Sequence, residues 1–402
     1  MANACSIFRN NKAPYTDEIA EKYAKEVGAK PRPKEIKDEI DERGAFIRQA
    51  NAFIRPFGDG DEDLHAEDGR FAIYWAHGCH WSNRPVIVRD ILGLENVIAD
   101  AHTTHSGESN IYGHGFGDSP DHKDPILGAY FLSEFYKNAD PDYKGRATTP
   151  TLVDVKEKKA VNNDYHRLTN YIEVQFRKFQ PVDAPDLYPV KYRKEIDEFN
   201  DWLFPTINNG HYRMAFCQSY EAYQESYDDF FDSIEKIDKR LETNRFLFGD
   251  YIIDSDIRLY VTLVRWETSY YHNVGPIKKR ITEYKNVWGY VKELFGIPEF
   301  RKYTFFEFPE KKTKGIFASY AERIASQVPY DELWKSDGSR KALSEDPENV
   351  YKKHPQGESA EDYQTKISVS KWNSEDPARR NPFERTLSTD ASINPISSKL
   401  RD

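Results

Sequence analysis

The fold class predicted by the sequence is α/β plus all-α: a mixed α/β domain followed by an all-helical one. Three observations predict it. The chain has 402 residues, more than one ordinary domain holds. Its first half alternates short apolar runs with helical patterns in the order β-α-β-α-β-β-α, that of a thioredoxin-like domain. Its second half shows apolar residues at helical spacing only. The resulting division is an N-terminal extension over 1–60, a thioredoxin-like domain over 61–180, a helical domain over 190–330 and a polar C-terminal tail over 331–402.

In chain order, Tyr15 to Glu42 is strongly charged and interrupted by Lys30-Pro31-Arg32-Pro33, which predicts one short helix on each side of the prolines. Phe71 to Trp75 is a strand candidate. Val86 to Leu92 reads as helix and stops at Gly93. Asn96 to Asp100 is a second strand, and 101–126 a loop rich in Gly, His, Asp and Ser. Ala129 to Asn138 is helical. Thr151 to Val155 and Ala160 to Asn162 are strands around a charged turn, and Asp164 to Phe176 is helical again. The domain join falls between Pro181 and Pro189. Beyond it, Tyr220, Tyr223, Phe230, Ile234, Ile237 and Leu241 keep close to the helical period, as do Ile257, Tyr260 and Val264, then Val287, Tyr290, Val291 and Leu294. After about Tyr330 the chain turns polar with isolated anchors, Trp334, Tyr351 and Trp372, which reads as a poorly ordered tail or an arm wrapped over the body.

Composition narrows the function classes. A formal net charge of −10 argues against non-specific nucleic-acid binding, which needs a basic face. Three widely spaced cysteines, Cys5, Cys79 and Cys217, do not form a disulfide framework and point to a reducing, cytoplasmic compartment. No stretch has the length of a transmembrane helix, and Met1 to Lys12 lacks an apolar run. No membrane partner is expected.

Cys79 is the candidate nucleophile. It lies between a strand and a helix. Pro85, best tolerated in a first turn, sets the helix start near Ser82 to Pro85. A helix N-terminus carries partial positive charge and unpaired N–H groups, which favour the nucleophilic thiolate. His80 and Arg84 are expected to add positive charge. No second cysteine stands at C-x-x-C spacing, so the chemistry is monothiol, with an external thiol as resolving partner. The histidines around this motif, His77, His80, His102, His105, His114 and His122, are ligand-type residues. They come without a C-x-x-C pair or an HExxH helix, and no metal is expected. Gly113-His114-Gly115-Phe116-Gly117 lacks the following helix and the Lys-Ser/Thr of a phosphate loop, so no nucleotide is expected either.

Cys79-His80-Trp81-Ser82-Asn83-Arg84 resembles the Cys-Pro-Trp-Ala-His/Asn-Arg signature of the Xi-class glutathione transferases, the glutathionyl-hydroquinone reductases. Gly44-Ala45-Phe46-Ile47-Arg48-Gln49 and Ala66-Glu67-Asp68-Gly69-Arg70-Phe71 are similar to that family's lead-in. Ile207-Asn208-Asn209-Gly210-His211-Tyr212-Arg213, Gly249-Asp250 with Asp256-Ile257-Arg258-Leu259, and Asn286-Val287-Trp288-Gly289-Tyr290 resemble motifs of its helical domain. The resemblance covers roughly residues 44–310. It implies a glutathione-transferase fold with the site between the two domains, glutathione or another low-molecular-weight thiol as co-substrate, and a homodimer. It implies that Cys79 attacks the glutathione sulfur of a glutathionyl-hydroquinone, leaving a mixed disulfide that a second glutathione resolves. Tyr212 and Tyr270 resemble tyrosines of the aromatic substrate pocket, and ordinary helix packing is the alternative for both.

The thiol site implied by the resemblance comprises His80, Trp81, Arg84, Thr149, Pro150, Asp164 and Tyr165. Thr149-Pro150 stands where the family has Val-Pro with a cis proline. Asn163-Asp164-Tyr165 stands at the family's Glu-Ser pair, whose acid holds the γ-glutamyl amine and whose serine holds its carboxylate. His80 replaces a proline. The loop at 101–117 lacks an expected tryptophan, which Tyr112 or Phe116 is to replace. The expected function is therefore thiol-dependent removal of a glutathionyl-type group from an aromatic or quinone-like conjugate. Thiol transfer to, or reductive dehalogenation of, an electrophilic aromatic is one alternative. A non-catalytic binding protein on the same fold is another.

Overall fold

In the computed structural model of the chain, the described residues are 15–32, 39–306, 329–355, 367, 369–374 and 380. Cys5 and the stretch directly after Pro33 lie outside them. Helix α1, Asp17–Val27, is capped by Thr16, which accepts from Ile19 N–H, and ends at Gly28 in the left-handed region. It lies against the loop before the third helix through stacked rings, Tyr23 on Tyr130 at 4.0 Å and Tyr15 on His122 at 4.7 Å.

Strand β1, Phe71–Trp75, is the centre of the sheet. β2, Ile98–His102, pairs with it in parallel. β5, Thr151–Asp154, pairs on the other side antiparallel, and β6, Lys159–Asn162, extends β5 antiparallel. The order is β2-β1-β5-β6. All five β1 residues are buried because both faces are covered. Phe71, Ile73 and Trp75 join the core shared with α2, His80–Ile91, with α4, Leu168–Gln175, and with the helical domain. Ala72 and Tyr74 face α3, Leu132–Ala139, with Phe135 and Tyr136. The expected loop after β2 contains a two-residue ribbon, β3, Thr104–His105, against β4, His114–Gly115.

Three helix starts differ from expectation, α4 beginning at Leu168 rather than Asp164. α3 begins three residues late, because the Glu134 carboxylate accepts from Tyr130 N–H (2.8 Å) and Phe131 N–H (2.9 Å) and closes the helix there. α2 begins at His80, so Pro85 lies in its second turn, where its missing N–H removes a helix bond to the Trp81 carbonyl.

The second half is helical: α5, Arg193–Leu203; a π-turn, Phe204–Asn208; α6, Gly210–Phe216; α7, Tyr220–Arg240; α8, Asp254–Thr268; α9, Lys285–Phe295; and α10, Pro298–Lys302. In α7 the periodic residues from Phe230 to Ile237 are buried, whereas Tyr220 is exposed at the helix start. α8 is buried on every face from Asp254 to Glu267, the central post of the domain. It packs directly on α2.

The described tail residues lie on the body. Trp334 packs edge-on against Trp288 at 5.0 Å. Arg340 is buried and donates to the carbonyls of Leu241 (3.1 Å), Asn244 (2.5 Å) and Arg245 (2.7 Å) just past α7. Trp372 and Asn373 are buried at the cleft between the two halves.

Candidate functional site

Cys79 is the N-cap residue of α2, half-buried and free. Its carbonyl accepts from Ser82 N–H at 2.9 Å and Asn83 N–H at 3.1 Å, and the Ser82 hydroxyl ties the turn by accepting from Ala76 N–H at 2.9 Å. The Thr149–Pro150 peptide is cis, and the Cys79 thiol donates to the Thr149 carbonyl at 3.6 Å. The strand-to-helix turn and the start of β5 thus present the sulfur to the cleft, at the end of a helix whose first N–H groups suit an anion.

The opposite wall comes from the helical domain. The Tyr270 hydroxyl donates to the Gly78 carbonyl at 3.1 Å, beside Cys79, and lies 3.4 Å from the Tyr212 hydroxyl. Burial pushes both phenols up, Tyr212 well above the ordinary tyrosine range, so both keep their protons at neutral pH. His211 stacks on Tyr270 at 4.0 Å. Burial, reinforced by the Arg48 and Arg265 charges, holds it far below the usual histidine range and neutral.

A solvent-open pocket adjoins the cysteine, with Phe46, Trp81, Tyr165, Phe204 and Trp372 in its walls. Trp81 donates its indole N–H to the Asn208 carbonyl at 3.1 Å, so the π-turn fixes its ring. Tyr165 lies 4.4 Å from Trp81, and Trp372 lies 5.4 Å from Phe204. Arg48 enters between Trp81 and Tyr212, its guanidinium 4.2 Å and 4.7 Å from the two ring centres, and donates to Asn209 Oδ1 at 3.1 Å.

Several expectations are corrected here. His80 does not add charge: its ring is buried against His211 and Tyr270, its Nδ1 meets Thr262 Oγ1 at 2.9 Å, and burial holds it well below the usual range, hence neutral. Arg84 is buried beneath Tyr165, donating to its carbonyl and stacking on its ring at 4.6 Å. It supports the pocket from below rather than lining it. Asp164 turns away: it is buried and accepts from His166 N–H at 3.0 Å. Neither Tyr112 nor Phe116 reaches the site. Tyr112 packs on Phe131 and Phe116 on Tyr74, and the additional indole comes from Trp372. The motif histidines pair otherwise: His77 stacks on His102 at 3.6 Å and on Phe305 at 4.0 Å, and the His114 ring meets Thr103 Oγ1 at 3.1 Å. Among the described residues no three His, Cys, Asp or Glu side chains converge on one point.

Sequence reasoning did not assign Arg48, Asn209, Trp372, Asn373 and Arg380 to the site. Trp372 left a trace as a lone aromatic in a polar stretch. Arg48 and Asn209 stand inside motifs that carry the family resemblance, without a role assigned there; Asn373 and Arg380 left no trace, because their positions depend on contacts such as Asn51 Nδ2 donating to Asn373 Oδ1 at 2.7 Å, 322 residues apart.

A cysteine at a helix start beside the carbonyl that precedes a cis-proline, on a thioredoxin-like domain facing a helical domain across an aromatic cleft, is the arrangement of a glutathione-transferase fold. Residues 220–293 match the family model described as glutathione S-transferase, C-terminal domain. The chain is 33% identical over 264 residues to the glutathionyl-hydroquinone reductase YqjG of Escherichia coli, covering 63% of this chain and 80% of that protein. The crystal structure of the glutathione-S-transferase Xi from Phanerochaete chrysosporium matches with a TM-score of 0.62 at 30% identity, covering 68% of this chain and 90% of that one. The glutathione-bound structure of YqjG matches with a TM-score of 0.57 at 30% identity, over 66% and 86% of the two chains. The chain belongs to the Xi-class glutathione transferases, the glutathionyl-hydroquinone reductase family.

Proposed function

We propose that this protein removes a glutathionyl-type group from an aromatic, quinone-derived conjugate, using Cys79 as the only protein thiol in the reaction. The observation that carries this reading is the juxtaposition of a free thiol at the start of α2 with two protonated phenols across the cleft. The names of its relatives, a glutathionyl-hydroquinone reductase and a structure with glutathione bound, support it.

The Cys79 thiolate attacks the thioether sulfur of the conjugate. An S–S bond forms, the aryl C–S bond breaks, and its electron pair goes to the aryl carbon. That carbon is reduced and takes a proton, which Tyr212 supplies, with Tyr270 beside it to hand one on. A second low-molecular-weight thiolate then attacks the thiol half of the mixed disulfide, and Cys79 leaves as thiolate. The sum is conjugate plus thiol giving hydroquinone plus disulfide. Trp81, Tyr165 and Trp372 supply flat apolar surface for a ring or a peptide-like thiol.

The test is a stopped single turnover. Mass spectrometry of the quenched protein should show one thiol adduct, on Cys79. Cys79→Ser should show neither adduct nor turnover while its circular dichroism stays unchanged. Full turnover by Cys79→Ser would sink the reading.

A further inference from the structure

Ala76, His77 and Gly78 join β1 to Cys79, and their main-chain groups are held from three directions. The Ala76 N–H donates to the Ser82 hydroxyl oxygen on α2 at 2.9 Å. The Gly78 carbonyl accepts from the Tyr270 hydroxyl of the helical domain at 3.1 Å. From the third side the His77 N–H donates to Nε2 of His102 at 3.2 Å. His102 is the last residue of β2 and stands in register with Trp75, the last of β1. Thr103 fixes it there, because its N–H and its hydroxyl both donate to the Trp75 carbonyl, at 2.6 Å and 3.1 Å. Since the two parallel strands end level, the chain leaving β1 passes beside His102.

Both nitrogens of the His102 ring are engaged. Nε2 accepts from a main-chain N–H, so it carries no hydrogen. Nδ1 lies 3.0 Å from Asp118 Oδ2, a carboxylate that accepts the remaining one. The same ring stacks on His77 at 3.6 Å, and Phe305 closes the other face of His77 at 4.0 Å. His102 thus grips, by main chain and by ring, the residue two before the cysteine.

We propose that His102 is a positioning residue for Cys79: by accepting the His77 N–H in the tautomer that Asp118 fixes, it sets where the turn delivers the sulfur relative to Tyr212 and Tyr270. This role rests on the reductase reading for the chemistry of Cys79, though not for the geometry of the turn. A main-chain N–H needs an acceptor, so the role belongs to a ring nitrogen without hydrogen and not to the bulk of the ring. Among the described contacts the His77 N–H has no second partner to fall back on.

Two variants separate the acceptor from the stack. His102→Gln keeps an oxygen near the place of Nε2 and loses the ring. His102→Phe keeps a ring against His77 and loses the acceptor. Two rates are measured in the full chain: alkylation of Cys79 by iodoacetamide, followed by peptide mass spectrometry, and steady-state turnover of a glutathionyl-hydroquinone. His102→Gln should hold both rates near those of wild type. His102→Phe should lose about tenfold in alkylation and in kcat with KM little changed, the scale expected when a reacting group is displaced by a fraction of an ångström. His102→Phe as fast as wild type overturns the proposal, and so do equal losses in the two variants, which would assign the effect to the stack. Nitrogen-15 NMR of histidine-labelled wild type gives a readout independent of how the variants fold. It should show His102 with its hydrogen on Nδ1 and a bare Nε2, and a hydrogen on Nε2 overturns the proposal. Failure of the reductase reading is distinct: wild type would then show no turnover, while the alkylation rates would keep the order given above.

Discussion

Tyr212 shows how a single side chain's packing and chemistry separate. Its ring is held by His211 at 3.7 Å and Phe216 at 5.8 Å, and its hydroxyl makes one long contact, 3.4 Å to Tyr270. Tyr212→Phe keeps the ring contacts and removes the proton. Melting should therefore shift little, while turnover of a glutathionyl-hydroquinone falls roughly 100-fold, the lower end for loss of a general acid. Steady-state kinetics beside a thermal melt check this, and unchanged turnover would reduce Tyr212 to a packing residue. The position of the proposed nucleophile was legible at this scale because a cysteine between a strand and a proline-containing helix carries its own signal. The charge next to it was not. His80 and Arg84 are adjacent in sequence, but desolvation neutralises the first and the Tyr165 ring covers the second. Arg48 sits far upstream and reaches the site only through tertiary packing.

Strand β1 and helix α2 could be read from an apolar run and from Gly93, since burial on both faces leaves a continuous hydrophobic stretch. The β3–β4 ribbon could not, because two residues per strand carry no periodicity. Helix α8 hides its most consequential group in a polar position. Asp256 accepts from Leu247 N–H (2.9 Å), Ile253 N–H (3.0 Å) and the Tyr290 hydroxyl (2.9 Å), closing the start of the helix. Burial nonetheless pushes its carboxyl up, from 3.8 to about 6, because the three donors only partly offset desolvation. The folded state then binds a proton more readily than the unfolded chain between those values. Asp256's contribution to stability is full below pH 3.8 and declines as pH rises to about 6. Chemical denaturation of wild type and Asp256→Asn should show a wild-type advantage larger near pH 4 than at pH 7, by on the order of 2 kcal/mol. A pH-independent difference would mean the carboxyl titrates normally.

Over the whole molecule, the tail residues act as ties. Arg340 satisfies three backbone carbonyls beyond α7, and no nearby backbone N–H takes them over in its absence among the described contacts. Arg340→Ala should cost about 2–3 kcal/mol, through buried acceptors left unpaired, and lower the melting temperature measurably. An unchanged melt would show that this stretch is not docked in solution. Polar composition concealed this docking, because a segment that lies along a finished surface needs only scattered anchors and carries no periodic stripe. The arm also has a consequence in time. Translation runs from Cys79 through the helical domain before reaching Trp372 and Arg380. Both folded halves can therefore exist, with the cysteine already at the start of its helix, while the aromatic wall is still open on one side. The pocket is completed by residues made after both domains, so a nascent molecule, or one clipped before Trp372, would keep the Cys79 sulfur at its helix start yet lack one wall of the pocket.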